Sequence, residues 1–125
     1  MIKFKSLNRS KDFLEILKKK RINTKYFTIY FNKNSRNFKK DLNKYLNISF
    51  VMKKNIGNAV TRNKIKRKLK SAVQKILTEK WPIDINYTYV IFGKNNVYKD
   101  KFMLVFGEIN KAFKKIQQIS QWLWN

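Results

Sequence analysis

Residues 48–70 carry the sequence ISFVMKKNIGNAVTRNKIKRKLK, which contains a strand, a turn and the first part of a helix. The apolar run at 48–52 is typical of a strand. Gly57 then interrupts the pattern, and apolar residues recur at helical spacing from about 58 to 79. Trp81-Pro82 ends this helix, because the residue before a proline is disfavoured in the α region.

The predicted helix is amphipathic in an unusual way. At about 100° per residue, its apolar residues fall within one arc of roughly 100°, which predicts a stripe that faces the core. This arc contains Ile65, Leu69, Ala72, Val73 and Ile76. The adjacent arc of roughly 140° is cationic apart from one asparagine. It contains Arg62, Asn63, Lys66, Arg67 and Lys70. The outer side of the helix carries Lys64, Lys68 and Lys75.

The cationic arc has no acidic neighbours to balance it. No Asp or Glu occurs between Lys53 and Lys70, whereas a solvated helix face usually mixes both signs. Like charges four residues apart, such as Arg62 and Lys66, lower helix stability. A solvated charged face is the ordinary alternative, but the one-sided charge favours contact with a nucleic acid. If about five cations each displace a counterion, binding falls with salt at a log–log slope near −4 to −5.

Composition restricts the class of protein further. The 125 residues predict a single domain, and 43% hydrophobic residues with 15% aromatics exclude a disordered tail. The 30 Lys and Arg against 7 Asp and Glu give a net charge of +23, which indicates a polyanionic partner. The chain contains no His and no Cys, and its acids are scattered. A catalytic or metal site made of protein side chains is therefore not expected.

The chain shows no sign of a membrane span or of export. No apolar run approaches the roughly 18 residues of a span, and the first residues lack the apolar stretch of a signal peptide. We therefore expect a cytoplasmic protein without a membrane partner. The C-terminal Trp122 and Trp124 leave three interpretations open: packing on the protein's own surface, contact with a partner, or anchoring at a membrane interface.

The remaining elements predict an α+β domain. Ser10 is a suitable N-cap for a first helix that runs to about 19, and 26–31 and 87–92 are strand-like. Residues 32–44 are expected to form a solvated loop. Asp100 is a candidate N-cap for the last helix. The apolar stripe of that helix consists of Phe102, Val105, Phe106, Ile109, Ala112, Phe113 and Ile116. All 125 residues are assigned to one domain, with a core at about 7–119 and a tail at 120–125.

The central segment resembles the signature of the bacterial ribonuclease P protein subunit. That family has a strand, then Lys-Lys-x-x-Gly-Asn-Ala-Val, then a helix with Arg-Asn-x-x-Lys-Arg-x-x-Arg. The matching residues here are Lys53, Lys54, Gly57, Asn58, Ala59, Val60, Arg62, Asn63, Lys66, Arg67 and Lys70. The resemblance covers about residues 7–116 and implies an α/β sandwich of αβββαβα order. Its helices would pack on a small, mostly antiparallel four-stranded sheet, with a short strand near Ile22 and a left-handed βαβ crossover carrying the basic helix.

The resemblance also implies a function. It assigns the chain to an RNA-based endoribonuclease that removes the 5′ leader from precursor tRNA. In this enzyme the RNA subunit would catalyse the cleavage and hold the Mg²⁺. The implied partners are ribonuclease P RNA and precursor tRNA, with no obligate protein partner and no organic cofactor. No protein residue is assigned to catalysis or to a metal. The residues implied to bind the catalytic RNA are Lys53, Lys54, Asn58, Arg62, Asn63, Lys66, Arg67 and Lys70. Those implied to bind the leader are Arg9, Phe13, Leu17 and Tyr30.

Several positions depart from the family pattern, among them Asn47, where a glycine is frequent, and Ser71, where a polar or acidic residue is common. Lys70 and Lys94 replace arginines and lack the bidentate fork of a guanidinium, and Leu17 replaces an aromatic residue and cannot stack on a base. From the residues alone, the alternatives are a non-catalytic RNA-binding module of ribosomal-protein type, a DNA-binding protein and a self-sufficient nuclease. The absence of His and Cys disfavours the last of these.

Overall fold

The computed structural model describes residues 3–7, 9–34, 45–79 and 83–124, with side chains to residue 119 in the last segment. Periodicity located most of the elements correctly, because long apolar patterns mark the buried strands and helices. The observed elements are β1 (Lys3–Lys5), α1 (Ser10–Ile16), β2 (Lys20–Asn23), β3 (Phe27–Lys33), β4 (Tyr45–Val51), α2 (Ala59–Thr78), β5 (Tyr87–Gly93), α3 (Asn96–Lys99) and α4 (Phe102–Trp124).

The sheet has five strands in the order β1-β4-β5-β3-β2, one more than the four predicted. The additional strand, β1, pairs parallel to β4, and the short α3 is a further element that the predicted order lacked. β4 and β5 are parallel, whereas β2–β3 and β3–β5 are antiparallel, so the pairing is evenly mixed rather than mostly antiparallel. The strand predicted near Ile22 is confirmed as β2. α2 connects the parallel neighbours β4 and β5, and the left-handed sense of this crossover stays a prediction.

One face of the sheet packs against α2 and α4 and forms the core. All five apolar residues of the predicted α2 stripe are buried, and so are the predicted α4 residues apart from the half-buried Phe102. Gly93 of β5 allows α2 to approach the sheet closely, because a Cβ atom there would lie 2.8 Å from Cγ2 of Ile65. The apolar arc of α2 therefore faces the sheet, and the cationic arc beside it lies at the surface.

The opposite face of the sheet carries α1. Buried Ile16 of α1 and Val90 of β5 lie outside the main core cluster, as expected for a second packed face. The buried hydroxyl of Ser49 accepts a hydrogen bond from the Leu7 backbone N–H at 2.9 Å and so holds the segment before α1 against this face. α1 ends at Ile16, before the predicted end at 19. Its N-cap position is occupied by Arg9 and not by the predicted Ser10, and no side chain caps the helix. Among the described residues, no helix is long and apolar enough to cross a membrane.

Candidate nucleic-acid interface

The cationic arc of α2 forms an open surface. Asn63, Lys66, Arg67 and Lys70 are all exposed. The ion pairs found among the described residues join Lys25 to Asp100, Lys75 to Glu79 and Lys111 to Glu108, so none uses a cation of this arc. Lys70 Nζ lies 6.0 Å from the centre of the Phe4 ring, which is a weak cation–π contact. We call Asn63, Lys66, Arg67 and Lys70 the α2 cationic face.

Two lysines on the outer side of α2 bind other groups of the protein. Lys68 Nζ donates to the carbonyl oxygens of Val97, at 2.8 Å, and of Asp100. Lys75 Nζ lies 2.7 Å from Glu79 Oε1. α3 and α4 pack along this side of α2, which the period of a single helix cannot reveal. Lys68 therefore stabilises the turn between α3 and α4 instead of facing solvent.

The segment from Lys53 to Gly57, here called the approach loop, leads into α2. Gly57 has a φ of +53°, in the left-handed region that favours glycine. The Asn58 side chain accepts a hydrogen bond from the Thr61 N–H at 2.9 Å and caps α2. Lys53 and Lys54 are exposed, as an RNA contact requires. The predicted RNA-binding residue Asn58 thus also has a structural task as the helix N-cap.

Arg62 is likewise engaged within the protein. Its Nη1 atom donates to the carbonyl oxygens of Lys54, at 3.0 Å, and Gly57, at 2.9 Å. The side chain is half-buried, unlike those of Lys66 and Arg67. The sequence placed Arg62 in the cationic arc correctly, but it could not show these hydrogen bonds to backbone carbonyls.

The predicted leader residues lie around an aromatic cluster on the α1 side of the sheet. Phe13 of α1 lies 6.0 Å from Phe92 of β5 between ring centres, and Tyr30 of β3 meets Phe92 edge-to-face at 5.6 Å. These three residues are half-buried and are here called the aromatic cluster. Arg9 is exposed and lines a depression of about 370 Å³ beside Phe13. Leu17 follows Phe13 by one helical turn and is half-buried.

Phe92 is a site residue that sequence reasoning did not find. The apolar run of β5 concealed which residues face α1, and the contact between the rings of Phe92 and Phe13 now shows that Phe92 is one of them. In the sheet, Phe92 pairs with Thr28 on β3 and with Val51 on β4. A groove of about 280 Å³ joins Phe92 and Thr28 to Lys53 and Asn55 of the approach loop. The aromatic cluster and the approach loop are therefore parts of one continuous surface.

Comparison with known proteins identifies the family. The family model described as Ribonuclease P matches residues 1–117. This chain belongs to the ribonuclease P protein family. The ribonuclease P protein component of Mesoplasma florum is 32% identical over 111 residues, covering 86% of this chain and 90% of that protein. The one from Carboxydothermus hydrogenoformans is 29% identical over 119 residues, covering 94% of this chain and 96% of that protein.

Solved ribonuclease P proteins share the fold. The Thermotoga maritima protein superposes with a TM-score of 0.66 at 23% identity, covering 89% of this chain and 96% of that chain. The Staphylococcus aureus protein gives 0.60 at 18% identity, covering 90% and 94%. The predicted membership of the ribonuclease P family and the predicted α+β class are therefore confirmed.

Lys94, which departs from the ribonuclease P family pattern, is held by the protein itself. Its Nζ atom donates to Asn23 Oδ1 and to the Thr24 carbonyl oxygen, each at 2.6 Å. These bonds tie the end of β5 to the turn between β2 and β3. A lysine at this position therefore fixes one border of the α1 side of the sheet.

Three groups with shifted pKa values lie on the core side of this ribonuclease P protein. The Tyr26 hydroxyl donates to Asp100 Oδ2 at 2.6 Å, and this bond raises the pKa of Tyr26 to about 12. The same bond, helped by Lys25, lowers the pKa of the Asp100 carboxyl. Asp100 was predicted to cap α4, but its carboxylate instead binds Tyr26 and Lys25. Burial raises the pKa of Tyr89 in the core.

Proposed function

We propose that the α2 cationic face and the approach loop bind the RNA of ribonuclease P. The chain is the protein subunit of this tRNA 5′-processing endonuclease, so ribonuclease P RNA is its partner. The observation that carries the assignment of the surface is the exposure of Lys66, Arg67 and Lys70 without a carboxylate partner among the described residues. Such cations neutralise RNA phosphates and release counterions, which supplies sequence-independent affinity.

We further propose that the single-stranded leader of precursor tRNA lies against the aromatic cluster. Phe13 and Tyr30 border Phe92, and Arg9 lies at the start of the same helix as Phe13. Aromatic rings bind unpaired bases by stacking without strong sequence preference, and a nearby cation attracts the backbone. The groove that leads from this cluster to Lys53 supports a path from the leader to the RNA surface.

The side chains of the protein indicate which tasks belong to the protein and which to the RNA. The chain has no His or Cys, and within the described ranges no three acidic, His or Cys residues gather into a metal-binding group. We propose that the RNA subunit holds the Mg²⁺ and carries out the cleavage, while the protein neutralises phosphates and positions the leader. A cytoplasmic location is part of this proposal, since tRNA is matured there.

The test is reconstitution with a bacterial ribonuclease P RNA at low Mg²⁺ concentration. The RNA alone, the protein alone and the mixture are incubated with precursor tRNA, and release of the 5′ leader is measured on a gel. The proposal predicts that the mixture cleaves faster than the RNA alone and that the protein alone releases no leader. Equal rates with and without protein, or cleavage by the RNA-free protein, would contradict it.

A further inference from the structure

Arg62 fastens the approach loop to helix α2. Both hydrogen bonds of its Nη1 atom end on loop carbonyl oxygens, those of Lys54 and Gly57. We infer that Arg62 is a positioning residue: its hydrogen bonds hold Lys53 and Lys54 in the orientation that binds RNA. This inference rests on the proposed function, because it concerns how the proposed RNA surface is built.

The chemistry of the guanidinium group supports this role. An arginine binds a phosphate best with two parallel N–H donors along one edge of its planar group. In Arg62 both hydrogen bonds of Nη1 go to carbonyl oxygens, so the edge between Nη1 and Nη2 is not free for a phosphate, and the edge between Nε and Nη2 is the one that remains. Arg67, one and a half turns further along α2, is exposed and belongs to the α2 cationic face. The two arginines of the same motif therefore differ in their contacts: Arg62 is bonded to the approach loop, whereas Arg67 lies open at the surface.

Two local features determine the backbone conformation of the approach loop, and Arg62 adds its link to α2. Gly57 adopts a positive φ, and a Cβ atom there would lie 3.0 Å from the Thr61 side chain. The Ile56 N–H donates to the Lys53 carbonyl oxygen at 3.1 Å and closes a turn. Without Arg62, the carbonyl groups of Lys54 and Gly57 lose their link to α2, and the two exposed lysines are no longer held beside the helix.

The first part of the test uses the free protein and measures amide hydrogen exchange of residues 54–58. Charge-assisted hydrogen bonds contribute enough that Arg62→Ala should speed exchange in this loop about tenfold. Arg67→Ala is the matched control, because it removes the same charge from an exposed side chain and should leave loop exchange unchanged. Unchanged exchange of the α2 core amides around Leu69 shows that each variant is folded. Loop exchange in Arg62→Ala that equals the wild-type rate would overturn the inference.

The second part compares affinity for ribonuclease P RNA with loop exchange in the same variants. Arg62→Ala should weaken binding about tenfold, and Gly57→Ala, which changes no charge, should weaken it several-fold because the strained turn displaces the loop. Arg62→Lys keeps the charge. Its affinity for ribonuclease P RNA should recover only to the extent that exchange of the loop amides slows toward the wild-type rate. The positioning role would be overturned if either Arg62→Lys or Gly57→Ala binds RNA with wild-type affinity while its loop amides exchange fast.

The two parts separate this inference from the proposed function. The exchange measurement contains no RNA, so it reports on the hydrogen bonds of Arg62 whatever the protein binds. If Arg67→Ala and Lys66→Ala bind ribonuclease P RNA as tightly as the wild type, the proposed RNA surface is wrong. If those variants bind weakly and the loop of Arg62→Ala exchanges at the wild-type rate, only the positioning role is wrong.

Discussion

Removing the three exposed charges of the α2 cationic face tests how many phosphates this surface contacts. Lys66, Arg67 and Lys70 lie on one side of α2 and have no carboxylate partner within the described part of the chain. Each phosphate contact contributes roughly 0.7 to 0.9 to the slope of log affinity against log salt. The triple alanine variant should therefore lower the steepness of that slope by about 2 to 3.

The same slope predicts how the loss of affinity changes with salt. Between about 50 and 200 mM salt, the affinity gap between wild type and triple variant should narrow roughly 20- to 40-fold. Filter binding to ribonuclease P RNA over that range measures both quantities. A control variant loses the same three charges at exposed lysines outside α2, namely Lys99, Lys101 and Lys115. An equal change of slope in the control would show that net charge, rather than this face, determines binding.

Three further predictions concern the leader, pH and anions. Phe13→Leu keeps an apolar side chain but removes the ring, so affinity for precursor tRNA should fall about tenfold with no change for leader-free tRNA. The control Met103→Ala, at a side chain 62% exposed on α4, should change neither affinity. Tyr26 stabilises the fold fully below its unfolded pKa near 10, and this stability should be lost as pH rises through its folded pKa of about 12. The pKa of Asp100 is lowered by the same hydrogen bond, so its contribution should disappear as pH falls through that lowered value. In urea unfolding, Tyr26→Phe should abolish the dependence at high pH and weaken the one at low pH, because Lys25 still pairs with Asp100; an unchanged pH profile would refute this. Because the net charge is +23, sulfate should raise the melting temperature more than chloride at equal ionic strength; equal effects would argue against specific anion binding.

The elements with long, regular patterns were predictable from the sequence. The apolar arc of α2 and the stripe of α4 are buried as their periodicity indicated. β1 was not predictable, because Lys3 and Lys5 flank a single apolar residue and the strand exists only through its pairing with β4. The C-terminal helix continues to Trp124, beyond the predicted apolar stripe. Asn32 and Lys33, predicted to begin a loop at 32–44, belong to β3 instead. Residues 35–44 and the side chains of Trp122 and Trp124 lie outside the described residues.

The candidate site was predictable in its residue types and less so in its geometry. Charge asymmetry located Lys66, Arg67 and Lys70 at an open surface, since no neighbouring acid neutralises them. The hydrogen bonds of Arg62 to the approach loop depend on tertiary positions that a helical projection does not contain. Phe92 was missed for a related reason: a strand buried on both faces has a continuous apolar sequence, so alternation does not reveal its sides.

The most direct test of the RNA-binding surface is site-specific photo-cross-linking in the reconstituted holoenzyme. Gln74 is exposed on α2, one turn after Lys70, and replacing it with p-benzoylphenylalanine leaves every charge of the α2 cationic face intact. Gln118, exposed on α4, is the matched control position. We expect strong cross-links from position 74 to ribonuclease P RNA and few from position 118. Equal yields from both positions, or cross-links from position 118 alone, would contradict the assignment of this face to the RNA.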